Sequence, residues 1–270
     1  MASLEAARRK FLLGLLANPT ADPLPEQPPL RYFLMGRNEW RGAETWPPPE
    51  AVPTDCFLHG GGSANTLDGD GTLSFTKPAP DEPADHFVYN PENPVPTSGG
   101  NNIGDPALLP AGPFDQRAVE RRDDVLVYTS AALERDLVVA GPIKVVLHAA
   151  SSAPDTDFTA KLVDVHPDGR AIGLCDGVIR ARHRESFRSP KLMVPGEVYL
   201  FEIDCWVTAN AFLAGHRIRL ELSSSNFPRL DRNPNTGTPI GLETRHRVAA
   251  QTVFHDAARP SRLVLPVLPG

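Results

Sequence analysis

The stretch Glu197-Val198-Tyr199-Leu200-Phe201-Glu202-Ile203-Asp204-Cys205-Trp206-Val207 decides the fold. Its alternate positions put Tyr199, Phe201, Ile203, Cys205 and Val207 on one side, the two-residue period of a strand with one face in a core. The same period recurs on both flanks. Residues 216–222 send Ile218, Leu220 and Leu222 inward and Arg217, Arg219 and Glu221 outward. Residues 157–165 set Phe158, Ala160 and Leu162 against Thr159, Lys161 and Val163, again as a half-buried strand would. Shorter candidates lie upstream at residues 56–58, 72–75 and 86–89, and residues 262–267 form a last short strand.

Roughly ten to twelve such strands, with no repeat period and no convincing helix between them, predict two packed antiparallel sheets. The expectation is a mainly β chain whose best fit is a jelly roll. Composition agrees: 29 prolines and 21 glycines in 270 residues are too many for a helix bundle and suit short strands joined by turns. With 41% hydrophobic and 22% charged residues, the chain can bury a substantial core.

The formal charge of -6 arises from interspersed acids and bases, so neither nucleic acid nor an anionic membrane surface is an expected partner. No run of ~18 apolar residues provides a membrane span. Cys56, Cys175 and Cys205 are odd in number and widely spaced, giving neither a disulfide framework nor a zinc pair. They read as small apolar residues of a protein in the reducing cytoplasm.

Near the start, Arg8-Arg9-Lys10-Phe11-Leu12 imitates a twin-arginine export signal, but the apolar stretch behind it is shorter than the ~7–15 residues of an export core. The preferred reading is an amphipathic helix over residues 3–17, capped by Ser3, with Leu4, Phe11, Leu12, Leu15 and Leu16 on one side and Asn18-Pro19 ending it. A proline-rich link then leads to residues 30–35, read as a buried strand closed by Gly36. A helix and a lone strand make no domain. Residues 1–47 are therefore expected to be a remnant of a unit whose sheet lies elsewhere. Trp46-Pro47-Pro48-Pro49 marks the boundary, and residues 48–270 form the sandwich.

Among chemistry-bearing segments, His59-Gly60-Gly61-Gly62-Ser63 copies the oxyanion signature of lipases. No G-x-S-x-G accompanies it, so a strand followed by a glycine turn accounts for it. His216, at the start of a strand, reads as a histidine hydrogen-bonded into the domain. Metal-ligand spacings such as HxH or HExxH are missing, so no metal is expected. Asp155, Asp157, Asp164 and Asp168 could bind calcium, but capping and pairing with Arg180, Arg182 or Arg184 are the favoured roles. Residues 231–237 read as an Asx- and Pro-rich loop.

Several segments carry a resemblance. Tyr89-Asn90-Pro91-Glu92-Asn93-Pro94-Val95-Pro96-Thr97-Ser98-Gly99-Gly100 is similar to the "DPxxPVPTxGG" stretch of the CocE/NonD hydrolases, the family of cocaine esterase, X-prolyl dipeptidyl-peptidases and α-amino acid ester hydrolases. In the same order as in that family come Gly112-Pro113-Phe114-Asp115-Gln116-Arg117, Ala153-Pro154-Asp155-Thr156-Asp157 and Asp164-Val165-His166-Pro167-Asp168-Gly169. Asp176-Gly177-Val178-Ile179-Arg180, Ala214-Gly215-His216-Arg217 and Ser223-Ser224-Ser225-Asn226-Phe227-Pro228 follow. Upstream, residues 29–41 resemble the family's last hydrolase strand, and the helix before it the one that follows the catalytic histidine.

The resemblance implies a galactose-binding-like jelly roll at the C-terminal side of an α/β-hydrolase, an enzyme that cuts esters or amides with a Ser-His-Asp triad. The triad positions would lie upstream of residue 1. This chain is thus expected to hold no catalytic residue, to need no cofactor, and to be inactive without an α/β-hydrolase domain as partner. For substrate contact, the resemblance points to the loop after Gly99-Gly100, namely Asn101, Asn102 and Ile103. Two alternatives stand beside it: a self-standing module binding a sugar, peptide or protein, and a residual esterase using His59 or His216 with a local serine. Self-association through the exposed remnant is a further expectation.

Overall fold

A computed structural model of the chain describes residues 4–20, 28–103, 105–239 and 241–269. It opens with α1 (Leu4–Ala17) and the strands β1 (Leu30–Leu34) and β2 (Glu39–Ala43). There follow β3 (Val52–His59), β4 (Thr72–Ser74), β5 (Asp85–Tyr89), the one-turn α2 (Arg117–Glu120), β6 (Leu126–Ser130), β7 (Leu137–Ser151), β8 (Asp157–Val165) and β9 (Ala171–Arg180). A 3-10 turn at Ala181–His183 leads to β10 (Tyr199–Phe212), β11 (Arg217–Ser223), β12 (Ala249–Phe254) and β13 (Arg262–Val267). No described helix is long and apolar enough to cross a membrane.

The expected β sandwich is what forms. Strands run in the order β5-β12-β7-β13-β3-β4-β6-β11-β8-β9, antiparallel except where β4 meets β6. β7 is shared by three partners: β10 follows one of its edges, while β13 and β12 divide the other. Inward side chains from both halves of the path meet in one core that includes Leu58, Tyr89, Tyr128, Leu147, Phe158, Phe201 and Leu220. Phe158 and Phe201 lie with ring centroids 4.9 Å apart.

The structure departs from the sequence reading in instructive places. β8 is buried along both faces, Thr159 and Lys161 included, rather than half-buried. Arg219 and Glu221, expected in solvent, are buried as well. The cause is the same for both strands: residues 112–122, which are not strand, cross the outer face, anchored where the Gln116 amide donates to the Ala171 carbonyl at 2.7 Å. On β10, Tyr199, Phe201, Ile203 and Cys205 alternate as read, but a bulge between Asp204 and Val207 shifts the phase and leaves Val207 exposed.

At the N-terminal side, the strand expected to be lone pairs with β2 in a hairpin, and only Leu34 of β1 is fully buried. Leu34 joins Val138, Ala140, Ala209 and Ala211 in a second small core. The Met35 amide donates to the Ala209 carbonyl and the Ala211 amide to the Met35 carbonyl, docking the hairpin on β10. Gly36 makes this approach possible: it sits at φ +80°, and a Cβ there would lie 2.2 Å from the Ala211 oxygen. The helix forms as read, although Ser3, its expected cap, falls outside the described residues. Its face is not covered: Phe11, Leu12 and Leu13 are exposed, and Leu16 is 79% exposed.

Candidate functional site

Gly99 and Gly100 (φ +63° and +100°) turn the chain from β5 into the loop where substrate contact is expected. Gly100 and Gly112 then exchange backbone hydrogen bonds of 2.8 and 3.0 Å, closing residues 101–111 into a projecting lobe. One face of this lobe walls a groove of ≈ 260 Å³. Asn101 and Pro113 stand on that side, Leu174, Cys175 and Asp176 come from β9, and Trp206 with Val207 from the β10 bulge.

The three expected contact residues have different surroundings. Asn101 lines the groove. Asn102 staples the lobe from within, its Nδ2 donating to the Gly99 and Pro110 carbonyls at 2.9 and 3.0 Å. Ile103 is 99% exposed.

Trp206 was not singled out by sequence reasoning, yet it is the most unusual residue here. It is 62% exposed and held at φ 65°, a strained conformation for a bulky side chain, with its amide donating to Asp204 Oδ1 at 2.8 Å. An aromatic ring pushed outward by a bulge suits contact with another surface.

The groove's charged groups are already engaged. Asp176 accepts from Asn226 Nδ2 at 2.9 Å and pairs with Arg229. Burial, with Asp176 and Asp204 adding to it, pushes the Cys175 thiol far above its ordinary value, so it is no nucleophile. Cys56, Cys175 and Cys205 are all free thiols.

Beneath the lobe lies a buried charge cluster. Gln116 Nε2 donates to the Ser98 and Phe114 carbonyls, and its Oε1 accepts from Lys161 Nζ at 3.2 Å. Lys161 reaches Glu221 at 3.6 Å, and Arg219 meets Glu120 at 2.6 Å. Burial pushes Glu221 up to about 7, with Lys161 opposing and the neighbouring Glu120 adding to the rise. It raises Glu120 too, against the pull of Arg219.

Because Gly99 occupies left-handed backbone and its Cβ position lies 2.5 Å from the Gly112 oxygen and 2.6 Å from Phe114 Cδ2, Gly99→Ala is expected to destabilise the chain by about 1–3 kcal/mol. Urea unfolding checks the loss, and chymotrypsin cutting at Leu108 or Leu109 checks that the lobe has opened.

His59 stands in an arrangement that mimics a hydrolytic triad. Its Nδ1 is 2.9 Å from Glu82 Oε1, and its Nε2 is 2.9 Å from Ser74 Oγ. Two further contacts argue for a structural role. Nε2 also faces the Thr76 carbonyl at 3.1 Å, and the Ser74 hydroxyl has that same carbonyl as a second acceptor at 3.3 Å, so the serine proton is not committed to the histidine. The amides of Gly61 and Ser63 donate to the Asp70 carboxylate at 3.0 and 3.2 Å, which uses donors that an oxyanion would need. The glycine turn after β3 is thus a pinned turn.

His216 is hydrogen-bonded as read, its Nδ1 2.8 Å from Asp164 Oδ1 in a buried setting. The four aspartates are dispersed among partners: Asp155 with Arg182, Asp157 with Arg180, Asp164 with His216, and Asp168 with Arg170. Arg184 departs from its expected role, pairing with Glu185 and lying over the Tyr199 ring at 4.3 Å.

Comparison with known proteins places this architecture. Residues 25–264 match the family model of the X-Pro dipeptidyl-peptidase C-terminal non-catalytic domain. The chain is 46% identical over 252 residues to the cocaine esterase of Rhodococcus sp. (strain MB1 Bresler), covering 92% of this chain and 43% of that protein. An aminopeptidase from a marine sediment Thaumarchaeota archaeon superposes with a TM-score of 0.85 at 29% identity, covering 99% of this chain and 45% of its own. An α-amino acid ester hydrolase gives a TM-score of 0.79 at 29% identity, with 90% and 41% covered. The chain spans less than half the length of each. It belongs to the X-Pro dipeptidyl-peptidase C-terminal non-catalytic domain family, the β sandwich of CocE/NonD-type hydrolases.

Proposed function

We propose that this sandwich completes a serine hydrolase of the cocaine-esterase and X-prolyl dipeptidyl-peptidase type, which cuts ester or amide bonds when an α/β-hydrolase domain supplies the Ser-His-Asp triad. Alone, the chain is catalytically silent. The observation that carries this reading is α1, whose Phe11, Leu12, Leu13 and Leu16 stand exposed as a contiguous apolar surface. A hydrolase domain covering that surface makes residues 1–47 part of its own architecture. Trp206 and the lobe bearing Asn101 and Ile103 then face the reaction cleft and contribute to its acyl-side wall. The three free thiols suit the reducing cytoplasm proposed for it. Without its partner, the same apolar surface drives self-association.

The test is reconstitution. The purified chain is mixed with a separately expressed N-terminal α/β-hydrolase portion of a CocE/NonD hydrolase and assayed with a p-nitrophenyl ester and an X-Pro anilide. The expected result is a complex on size exclusion and turnover absent from this chain alone, with Leu12→Glu and Leu16→Glu together abolishing the complex. The isolated chain is also expected to resist a fluorophosphonate probe. Stoichiometric labelling of Ser74, or turnover that Ser74→Ala removes, would overturn the reading.

A further inference from the structure

We propose that Asp164, His166 and His216 form a binding site for one divalent first-row transition ion, of the zinc, nickel or cobalt kind. The three side chains come from one end of the sandwich. Asp164 lies at the end of β8, His166 in the turn that joins β8 to β9, and His216 in the turn that enters β11. The ladder pairs Arg217 with Val165 and Ile218 with Asp164, so its continuation sets His216 opposite His166. Their rings face each other with centroids 4.4 Å apart and planes tilted by 41°. One ligand atom from each of the three residues falls within 4.8 Å of the others.

The geometry needs little adjustment to hold an ion. With metal bonds of about 2.0–2.1 Å to nitrogen and oxygen, neighbouring ligand atoms stand about 2.9–3.4 Å apart, from right-angle to tetrahedral arrangement. Asp164 Oδ1 and His216 Nδ1 are already 2.8 Å apart, joined by a hydrogen that a metal would replace. The ring nitrogens of His166 hold no hydrogen bond among the described residues, which leaves that ring free to close the remaining distance.

Both histidines are carried on fixed backbone. The His166 amide donates to the Arg170 carbonyl at 2.8 Å, the His216 amide to Leu213 at 2.9 Å, and the His216 carbonyl accepts from Leu133 at 2.8 Å. Asp164 and His216 are buried while His166 is partly exposed, on the rim of a surface pocket that also includes Pro167 and Gly215 and provides an entry path. Arg217 and Arg219 also line that pocket, but each is held by its own partners, Arg217 donating to the Ser130 carbonyl and Arg219 to Glu120 and Thr129. Two imidazoles and one carboxylate select borderline ions over calcium or magnesium, and leave a fourth position for water. Because His166 and His216 come from two different turns, an ion here would tie the β8–β9 and β10–β11 ends together.

The test uses the full 270-residue chain without a polyhistidine tag, stripped with a chelator and titrated with Zn2+ by calorimetry and thermal melting. One ion per chain is expected, with a rise in Tm, and Co2+ in its place should give visible absorption bands of low-symmetry coordination. His166→Ala, at a turn position whose ring makes no hydrogen bond, should fold normally, bind at least about tenfold more weakly and lose the Tm rise. His86→Ala, whose ring meets Thr252 on the other side of the fold, should bind like the unaltered chain. No saturable one-to-one binding, or equal binding by His166→Ala, would overturn the proposal.

Discussion

Arg219→Met is expected to lower the unfolding free energy by about 3–5 kcal/mol at pH 8, and by much less at pH 5. Arg219 is the buried cation that meets Glu120 at 2.6 Å, and its Nε also donates to Thr129 Oγ1 at 2.8 Å. Methionine conserves much of the apolar stem but leaves two buried carboxyls, Glu120 and Glu221, with Lys161 alone to balance them. The pH dependence follows from burial, which raises both carboxyls. A raised carboxyl contributes stability that is fully present below its unfolded value near 4.5 and is lost as pH climbs through its folded value, about 7 for Glu221. The unaltered chain should therefore lose stability across that window. Without Arg219 the loss should steepen and extend to higher pH, because the pull that Arg219 exerts on Glu120 is gone. Urea unfolding at both pH values measures it, and equal losses at pH 5 and pH 8 would show that these carboxyls are not the coupled pair described.

Asp155→Ala is the second large effect, about 3–5 kcal/mol, or a Tm lower by roughly 10 °C for a domain of this size. Asp155 is fully buried, and each of its oxygens is committed. Oδ1 accepts from the Arg182 amide at 2.9 Å, while Oδ2 accepts from Arg182 Nε at 2.8 Å and Asn233 Nδ2 at 3.0 Å. Removing it strands the Arg182 guanidinium in the interior. Asn233 also donates to Asp157, and its carbonyl accepts from Tyr89 Oη, so the loop after β11 is held by the same knot. Trypsin should then cut at Arg232, Arg245 or Arg247 well below the melting temperature. Asp155→Asn, which keeps an acceptor, should lose less. A loss under about 1 kcal/mol for the alanine variant would mean that the guanidinium finds water.

The parts of this molecule that could be read from residues are those governed by local period. β10 and β11 emerge from alternation and β13 as a short closing strand, and the Asp157–Arg180 and Asp155–Arg182 pairs fall among the aspartate–arginine pairings expected of that segment. What stayed hidden depends on non-strand segments and on single-residue phase slips. Arg219 and Glu221 alternate with Ile218, Leu220 and Leu222 as solvent residues would, and only the passage of residues 112–122 across them makes them a buried cluster. Val207 fails because one bulge inverts the alternation after Asp204, which also thrusts Trp206 outward. The turn beside the groove was legible: Gly99-Gly100 announced left-handed backbone, but no pattern distinguishes Asn102, a staple within the loop, from Asn101, which lines the groove. His59, Ser74 and Glu82 lie far apart in sequence, and their meeting is a product of the β3–β4 ladder and the loop beyond it.

The place of β13 bears on how the chain is made. This strand, near the end of the sequence, fills the slot between β3 and β7. During synthesis that slot stays vacant until residues 262–267 have left the ribosome, so two sheet edges wait unpaired after β3 and β7 have both emerged. The nascent chain is thus exposed to mispairing throughout that interval, and a chain lacking residues 262–267 would leave the same gap permanently open.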